Sequence, residues 1–264
     1  MNYTYIPISN LQLILSVSLV IITGLVSALF RLGMLKSLLW GSVRAFLQLT
    51  LIGYALTFIF KNNQLYIIVP VILLMCLIAS REASRRVGKA PGKPMLVSFI
   101  ALTASTFVVG LIVVMLVISP KPLYSAQVMI PIFGMILGNS MNGIALSLDR
   151  MYSEIESHID EVEQLLCLGA TPWEAVRNYI KKAVSAGMTP TINSLMVVGL
   201  VSLPGMMTGQ ILAGMDPREA VRYQFVVMIM IAAAVAIGCL MIVGMSYKKL
   251  FTDDMAIVEG LRKN

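Results

Sequence analysis

Seven apolar stretches, each long enough to cross a bilayer, occupy most of this 264-residue chain. A helix needs about twenty mostly apolar residues to span the hydrocarbon layer. The stretches are Leu11–Phe30, Leu38–Phe60, Leu65–Ser80, Met95–Ile118, Val128–Leu148, Ile192–Leu212 and Tyr223–Tyr247. The third is the shortest. The second carries Arg44 near its start. It reads either as one crossing or as an interfacial helix around Trp40 followed by a shorter crossing from Ala45. Hydrocarbon cannot satisfy backbone N–H and C=O groups, so runs of this length specify helices. The expectation is an all-α, polytopic integral membrane protein with seven transmembrane helices in one domain, residues 1–264.

Charged residues make up 12% and hydrophobic residues 58% of the chain. A soluble domain is about a quarter charged, so the soluble class is excluded. The net charge of +7 does not point to nucleic acid, because the basic residues sit at the ends of spans. Arg31 and Lys36 follow the first span, and Arg81, Arg85, Arg86, Lys89 and Lys93 follow the third. Arg150, Arg177, Lys181 and Lys182 follow the fifth, and Lys248, Lys249, Arg262 and Lys263 close the chain. The intervening loops carry only Lys61, Lys121, or Arg218 with Arg222 at its edge. Basic loops stay in the cytoplasm. The N-terminus is therefore expected outside and the C-terminus in the cytoplasm, with the protein in a bacterial inner membrane and the lipid bilayer as its surroundings. The first span lacks a basic leader and a small-residue cleavage site, so it reads as retained. Cys76, Cys167 and Cys239 are too widely spaced to suggest a disulfide or zinc site.

Between the fifth and sixth spans lies a polar stretch, residues 149–188, patterned as helix. Met151, Ile155, Ile159, Val162 and Leu166 recur at helical spacing. No Gly or Pro separates Ser147 from this run, so span five is free to continue into it. Gly169 is a helix stop in the left-handed conformation. Thr171, Pro172, Trp173 and Glu174 then read as N-cap, first-turn proline and capping-box glutamate. The second helix carries Arg177, Lys181 and Lys182 and is expected to end near Gly187. The outline is a cytoplasmic helix-turn-helix arm that serves as a docking element.

Glu163, Gln164, Leu165, Gly169 and the string Ala170-Thr171-Pro172-Trp173-Glu174-Ala175 resemble the coupling loop of ABC transporter permeases. In that loop a Glu precedes a Gly by six residues. Here Gln164 and Leu165 replace its alanines, and Tyr179 and Lys181-Lys182 replace its usual downstream Ile and Leu-Pro. The segments Met135–Arg150, Leu168–Ala175 and Thr189–Gly214 together resemble the FetB-like permease family. That family includes bacterial iron-export permeases and plant aluminium-tolerance permeases. The resemblance implies a permease subunit paired with a separate ATP-binding subunit, which holds the ATP and magnesium. A permease homodimer is implied by analogy. Glu163 and Gly169 through Glu174 would then couple to the ATPase. Substrate does not follow from membership, because plant relatives are associated with nucleotide-sugar transport. The chain itself lacks a phosphate-binding loop: its nearest string, Gly88 to Pro94, has the wrong spacing and a Pro at the hydroxyl position. No catalytic residues and no cofactor of its own are expected.

Span five contains Asn139, Ser140 and Asn142, costly in a bilayer unless they pair or face water. They read as a substrate pathway or as helix–helix adhesion beside Gly134 and Gly138. Span six contains Asn193, Ser194, Met206, Met207, Thr208 and Gln210, with Pro204, Gly205 and Gly209. Pro204 is expected to kink a continuous helix as a hinge. The alternative is close packing or a dimer seam. Met129, Met135, Met141, Met206 and Met207 offer thioethers to a soft metal or act as adaptable filler. Arg44, with Gln48 one turn later, senses an anion or snorkels to the interface. His158, the sole histidine, reads as a solvated helix position. Acidic residues are absent from every span, and Asp149, Asp216 and Glu219 lie only at the mouths. That absence speaks against a carboxylate-lined cation pathway. Export of iron or another metal is the leading expectation. A polar organic or nucleotide-sugar substrate is the second, and a proton-coupled carrier the third.

Overall fold

The computed structural model describes residues 9–31, 33–87, 94–252 and 254–258, and it is all-helical. Lys89 and Lys93 of the third loop, Arg262 and Lys263 of the tail, and Gly88 of the rejected phosphate-loop string lie outside the described residues. The elements are α1 (Asn10–Leu29), α2 (Leu35–Asn62), α3 (Leu65–Arg86) and α4 (Pro94–Ile112), which a π-helical turn extends over Val113–Ile118. After these come α5 (Ala126–Ser157), α6 (Ile159–Cys167), α7 (Pro172–Val197), α8 (Gly205–Leu212) and α9 (Pro217–Ser246). A 3-10 turn, Tyr247–Leu250, ends the fold.

Five of these helices are long and apolar enough to cross a membrane: α2, α3, α4 with its π turn, α5, and α9 with its 3-10 turn. The chain is a multi-pass membrane protein. α1 is shorter in its apolar part, Leu15–Leu29. α2 is continuous, so Trp40 and Ala45 belong to one helix rather than to an interfacial piece and a crossing.

The sixth stretch differs most from its reading. It is not one helix. α7 stops at Val197, residues 198–204 turn back on themselves, and α8 starts afresh at Gly205. Two residues explain the break. Gly199 takes a φ of +81°, open to glycine at little cost, and its N–H donates to the Ser202 carbonyl at 2.9 Å. Pro204 has no N–H to continue a ladder and stands as the N-cap of α8. The expectation that Pro204 kinks a continuous helix is therefore corrected: it begins a short one.

α5 is the centre of the packing. It lies against α3, α4, α7 and α9, and Phe133 and Ile144 are fully buried on it. Gly110 on α4 makes room for Phe133, since a Cβ there would sit 2.8 Å from the ring. α5, α7 and α9 meet where Gly143, Gly187 and Cys239 come together. A Cβ on Gly187 would lie 2.6 Å from the Gly143 carbonyl and 2.9 Å from Cys239 Sγ, and would also strike Ser147 Oγ. Small residues let backbones approach this closely in membrane helices. Gly134 also faces a neighbour, with Met75 Cε 3.2 Å from its Cβ position, whereas Gly138 faces open space.

Candidate functional site

The turn between α6 and α7 is specified from both sides. Gly169, at φ +89°, lets the Ala170 N–H reach the Leu165 carbonyl and its own N–H reach Leu166, both at 3.0 Å. This double closure satisfies carbonyls at the end of α6. The space around Gly169 is open, so backbone conformation alone demands glycine. Two residues on, Thr171 caps α7. Its Oγ1 accepts from the Glu174 amide at 3.4 Å, while the Glu174 carboxylate accepts from the Thr171 amide at 2.8 Å and hydroxyl at 2.7 Å. Those bonds, the hydroxyl's first, hold the Glu174 carboxyl below its ordinary range. Pro172 occupies the first turn, where no backbone donor is needed. Half-exposed Trp173 projects from the turn onto Tyr247, and half-buried Glu163 lies on α6.

α5 carries span five past Met151 into the polar stretch, as expected, but it does not run straight into α6. It stops at Ser157, and His158 breaks the rod in a non-helical conformation. The His158 ring sits 2.9 Å from the Glu154 carbonyl through Nδ1 and stacks on Tyr179 at 5.0 Å. His158 is thus a packed joint rather than a solvated position. The apolar face survives the joint: Met151, Ile155 and Val162 are fully buried, with Ile159 and Leu166 packed against them. An ion pair and a hydrogen bond brace the two rods. Buried Glu154 meets Arg150 at 2.6 Å and Lys182, on α7, at 3.0 Å. The Tyr179 hydroxyl donates to Glu161 at 2.7 Å. Burial first, then that carboxylate, pushes the Tyr179 phenol up to about 12, so it stays a donor. α7 does not end near Gly187. It continues to Val197, with Pro190 inside it.

At its far end α7 walls a cavity of about 510 Å³, completed by α5, α8, α9 and the 198–204 turn. Asn139, Asn142, Ser194, Pro204, Gly205 and Met206 line it. Ser140 does not: it is fully buried on another face of α5, and its hydroxyl has no partner among the described residues. Asn193 is exposed on α7 outside the cavity. Met207, Thr208, Gly209 and Gln210 lie on α8 away from it. Thr208 spends its hydroxyl on the Pro204 carbonyl at 3.1 Å. Met135 lines the cavity, whereas Met129 is buried on α5 and Met141 is packed against the core.

Sequence reasoning missed Gln224, Thr191, Ser202 and Met228, which also line the space. Gln224 is 95% buried, its exposure being 5%, and among the described residues its side chain makes no hydrogen bond. Its signal was a lone amide just inside the apolar start of α9. Asn139 donates through Nδ2 to the Met135 carbonyl at 2.8 Å. Asn142 accepts on Oδ1 from Arg86 Nη1 at 2.7 Å. Arg44 pairs with Glu82 at 3.7 Å instead of meeting this site. No carboxylate, imidazole or thiol is among the lining residues. Nor do the described residues elsewhere group three His, Cys, Asp or Glu side chains for a metal.

Comparison with known proteins follows the same outline. The profile of an uncharacterised protein family, UPF0014, matches residues 10–251. The probable iron export permease protein FetB of Escherichia coli K12 is 33% identical over 257 residues, 97% of this chain and 98% of its own. The UPF0014 membrane protein YjkA of Bacillus subtilis is 37% identical over 242 residues, 92% of this chain and 95% of its own. The protein ALUMINUM SENSITIVE 3 of Arabidopsis thaliana is 34% identical over 209 residues, 79% of this chain and 75% of its own. No solved structure matches the chain. The chain belongs to the UPF0014 family of membrane proteins.

Proposed function

We propose that this chain is the membrane-spanning subunit of an ABC-type exporter, driven by ATP and magnesium held in a separate ATP-binding subunit. Two copies of the permease assemble with the ATPases. Seven crossings place the N-terminus outside and the C-terminus in the cytoplasm of a bacterial inner membrane. α1 and the discontinuous pair α7–α8 supply the two crossings that are not single long apolar helices. The cargo is iron or another metal, following the name of the Escherichia coli relative.

One observation carries the reading. The capped turn and the polar cavity sit on a single helix. α7 begins at Pro172, in the turn, and reaches Thr191 and Ser194, in the cavity wall. At about 1.5 Å per residue such a helix is roughly 40 Å long. A push on the turn therefore acts on the cavity without an intervening flexible segment. Discontinuous membrane helices beside a cavity are a recurrent design in transporters. The coupling residues are Glu163 and Gly169 to Glu174. The pathway residues are Asn139, Asn142, Ser194 and Met206, joined by Gln224.

A crosslinking experiment tests this directly. Ala170→Cys, in a Cys167→Ser background that removes the exposed native thiol, should crosslink to the ATPase subunit and not to lipid. Vesicles carrying the permease alone should move no cargo. Transport without an ATPase, or a turn that reacts only with probes on the outer face, would sink the proposal. A polar organic cargo is the second reading, favoured by the uncharged cavity lining. Transport driven by a proton gradient has no carboxylate in that lining to carry the proton.

A further inference from the structure

We infer that the cavity takes its metal as an anionic chelate, an ion already wrapped by an organic polycarboxylate, and not as a bare cation. The inference rests on the reading of this cavity as the cargo site and names the form of the cargo.

Four observations converge. The first is ligand chemistry. A bare ferrous or ferric ion needs carboxylate, imidazole or thiolate donors. The cavity offers none: its polar lining is Asn139, Asn142, Thr191, Ser194, Ser202 and Gln224. The thioethers of Met135, Met206 and Met228 suit only soft ions. Amides and hydroxyls are groups that hydrogen-bond a solute that brings its own ligands. The second is size. About 510 Å³ falls in the range of sites for small organic molecules, roughly 300–1,000 Å³. A naked ion would leave most of it to water.

The third is the sign of the field. Arg86 sets its guanidinium on the side-chain carbonyl oxygen of the lining residue Asn142 at 2.7 Å, so a positive charge is fixed next to the cavity wall. That bond uses the Asn142 acceptor and leaves its amide hydrogens as the donors. The helix ends at the break add to this. The carbonyls of Ser194 and Val197, at the end of α7, accept from the amides of Val198, Leu200 and Val201. The amides of Gly205, Met206 and Met207 precede the first backbone bond of α8, from Thr208 to Pro204. Two of those residues line the cavity. The positive end of α8 thus opens onto the space, while much of the negative end of α7 is tied up in the turn. The fourth is Gln224. It is an amide 95% buried in the cavity wall, with no hydrogen-bond partner among the described residues. Buried polar groups of this kind cost stability unless something pairs with them. A carboxylate or hydroxyl of the chelator would do so.

The test uses the full-length permease in lipid nanodiscs, with no ATPase present, and titration calorimetry. The probes are ferric citrate, citrate alone, and ferrous ion under reducing conditions. Ferric citrate is expected to bind and ferrous ion is not. Gln224→Glu puts a carboxylate into the wall and should weaken ferric citrate at least tenfold, more than Gln224→Leu does. Asn142→Asp, at an exposed position where folding is not at stake, should weaken it too by neutralising Arg86. Binding of ferrous ion by the wild-type permease at least as tightly as ferric citrate would overturn the inference. So would ferric citrate binding that ignores both variants, or no binding by either iron probe. Failure of the ABC reading would show itself separately, in the crosslinking and transport assays that need the ATPase.

Discussion

The indole of Trp173 packs against the phenol ring of Tyr247, with centroids 5.4 Å apart and planes inclined by 58°. The contact joins the α6–α7 turn to the 3-10 turn that ends α9, so the turn touches a long apolar helix besides the one it begins. Aromatic pairs are worth about 0.5–1.5 kcal/mol beyond the area they bury. Trp173→Ala should therefore lower thermal stability modestly, by about 1 kcal/mol. Trp173→Phe should restore most of it. Tryptophan fluorescence of the Tyr247→Leu variant checks the pairing independently, and an unshifted emission maximum would count against it.

Gly169 needs glycine for its backbone and not for space. A side chain in the left-handed region costs roughly 1–2 kcal/mol, and less for asparagine. Gly169→Val should loosen the turn, and Gly169→Asn should nearly preserve it. Amide exchange at Ala170 and Thr171 reads the difference. Equal protection in both variants would mean that the turn is held by its surroundings.

Gly187 is the opposite case, where space decides. A Cβ there meets Gly143 carbonyl oxygen, Cys239 and Ser147 together. Overpacking of this kind costs typically about 1–3 kcal/mol. Gly187→Val should lower the melting temperature in detergent sharply. Gly41→Ala, where nothing lies within 4 Å, should leave it unchanged or raise it.

The Glu174 carboxyl titrates below its ordinary value in the folded protein. Its contribution to the cap is therefore present above the unfolded value and is lost as pH falls through the lowered folded one. Protease nicking at the turn should rise across that acidic window in wild type. Glu174→Gln removes the titration and should flatten the profile. An identical pH dependence in both would remove Glu174 from the account.

Ser202 is exposed on the turn between α7 and α8 and lines the cavity. Ser202→Trp should fill the space and abolish transport while leaving the melting temperature nearly unchanged. Undiminished cargo movement would place the pathway elsewhere.

Hydropathy alone located α4, α5 and α9, because an apolar run of that length has few other ways to fold. The capping box at Thr171 and the left-handed Gly169 were legible too, since both depend on residues a few positions apart. The break after Val197 was not. Val198, Leu200, Val201 and Leu203 keep the hydropathy high through it, so a window average passes over the turn. Gly199 and Pro204 are its only markers, and a proline within an apolar run reads as a kink. Helix ends misled as well. α3 runs to Arg86 and α7 to Val197, because the residues around the expected ends still propagate a helix. The same extension of α3 brings Arg86 within reach of Asn142, a pairing across chain segments that no local pattern encodes. Gln224 was overlooked for a different reason: a polar residue at the edge of an apolar run looks interfacial until its neighbours in space are known.

At Gly143 and Gly187 neither α5 nor α7 brings a Cβ to their crossing. That point divides α7 into a longer portion, from Pro172, and a shorter one, to Val197. A rod pinned near its middle behaves as a seesaw: inward travel at one tip becomes outward travel at the other. Under the proposed coupling, the glycine crossing would serve as the fulcrum, and the unequal lengths would convert a broad stroke near the turn into a smaller, opposite stroke beside Ser194.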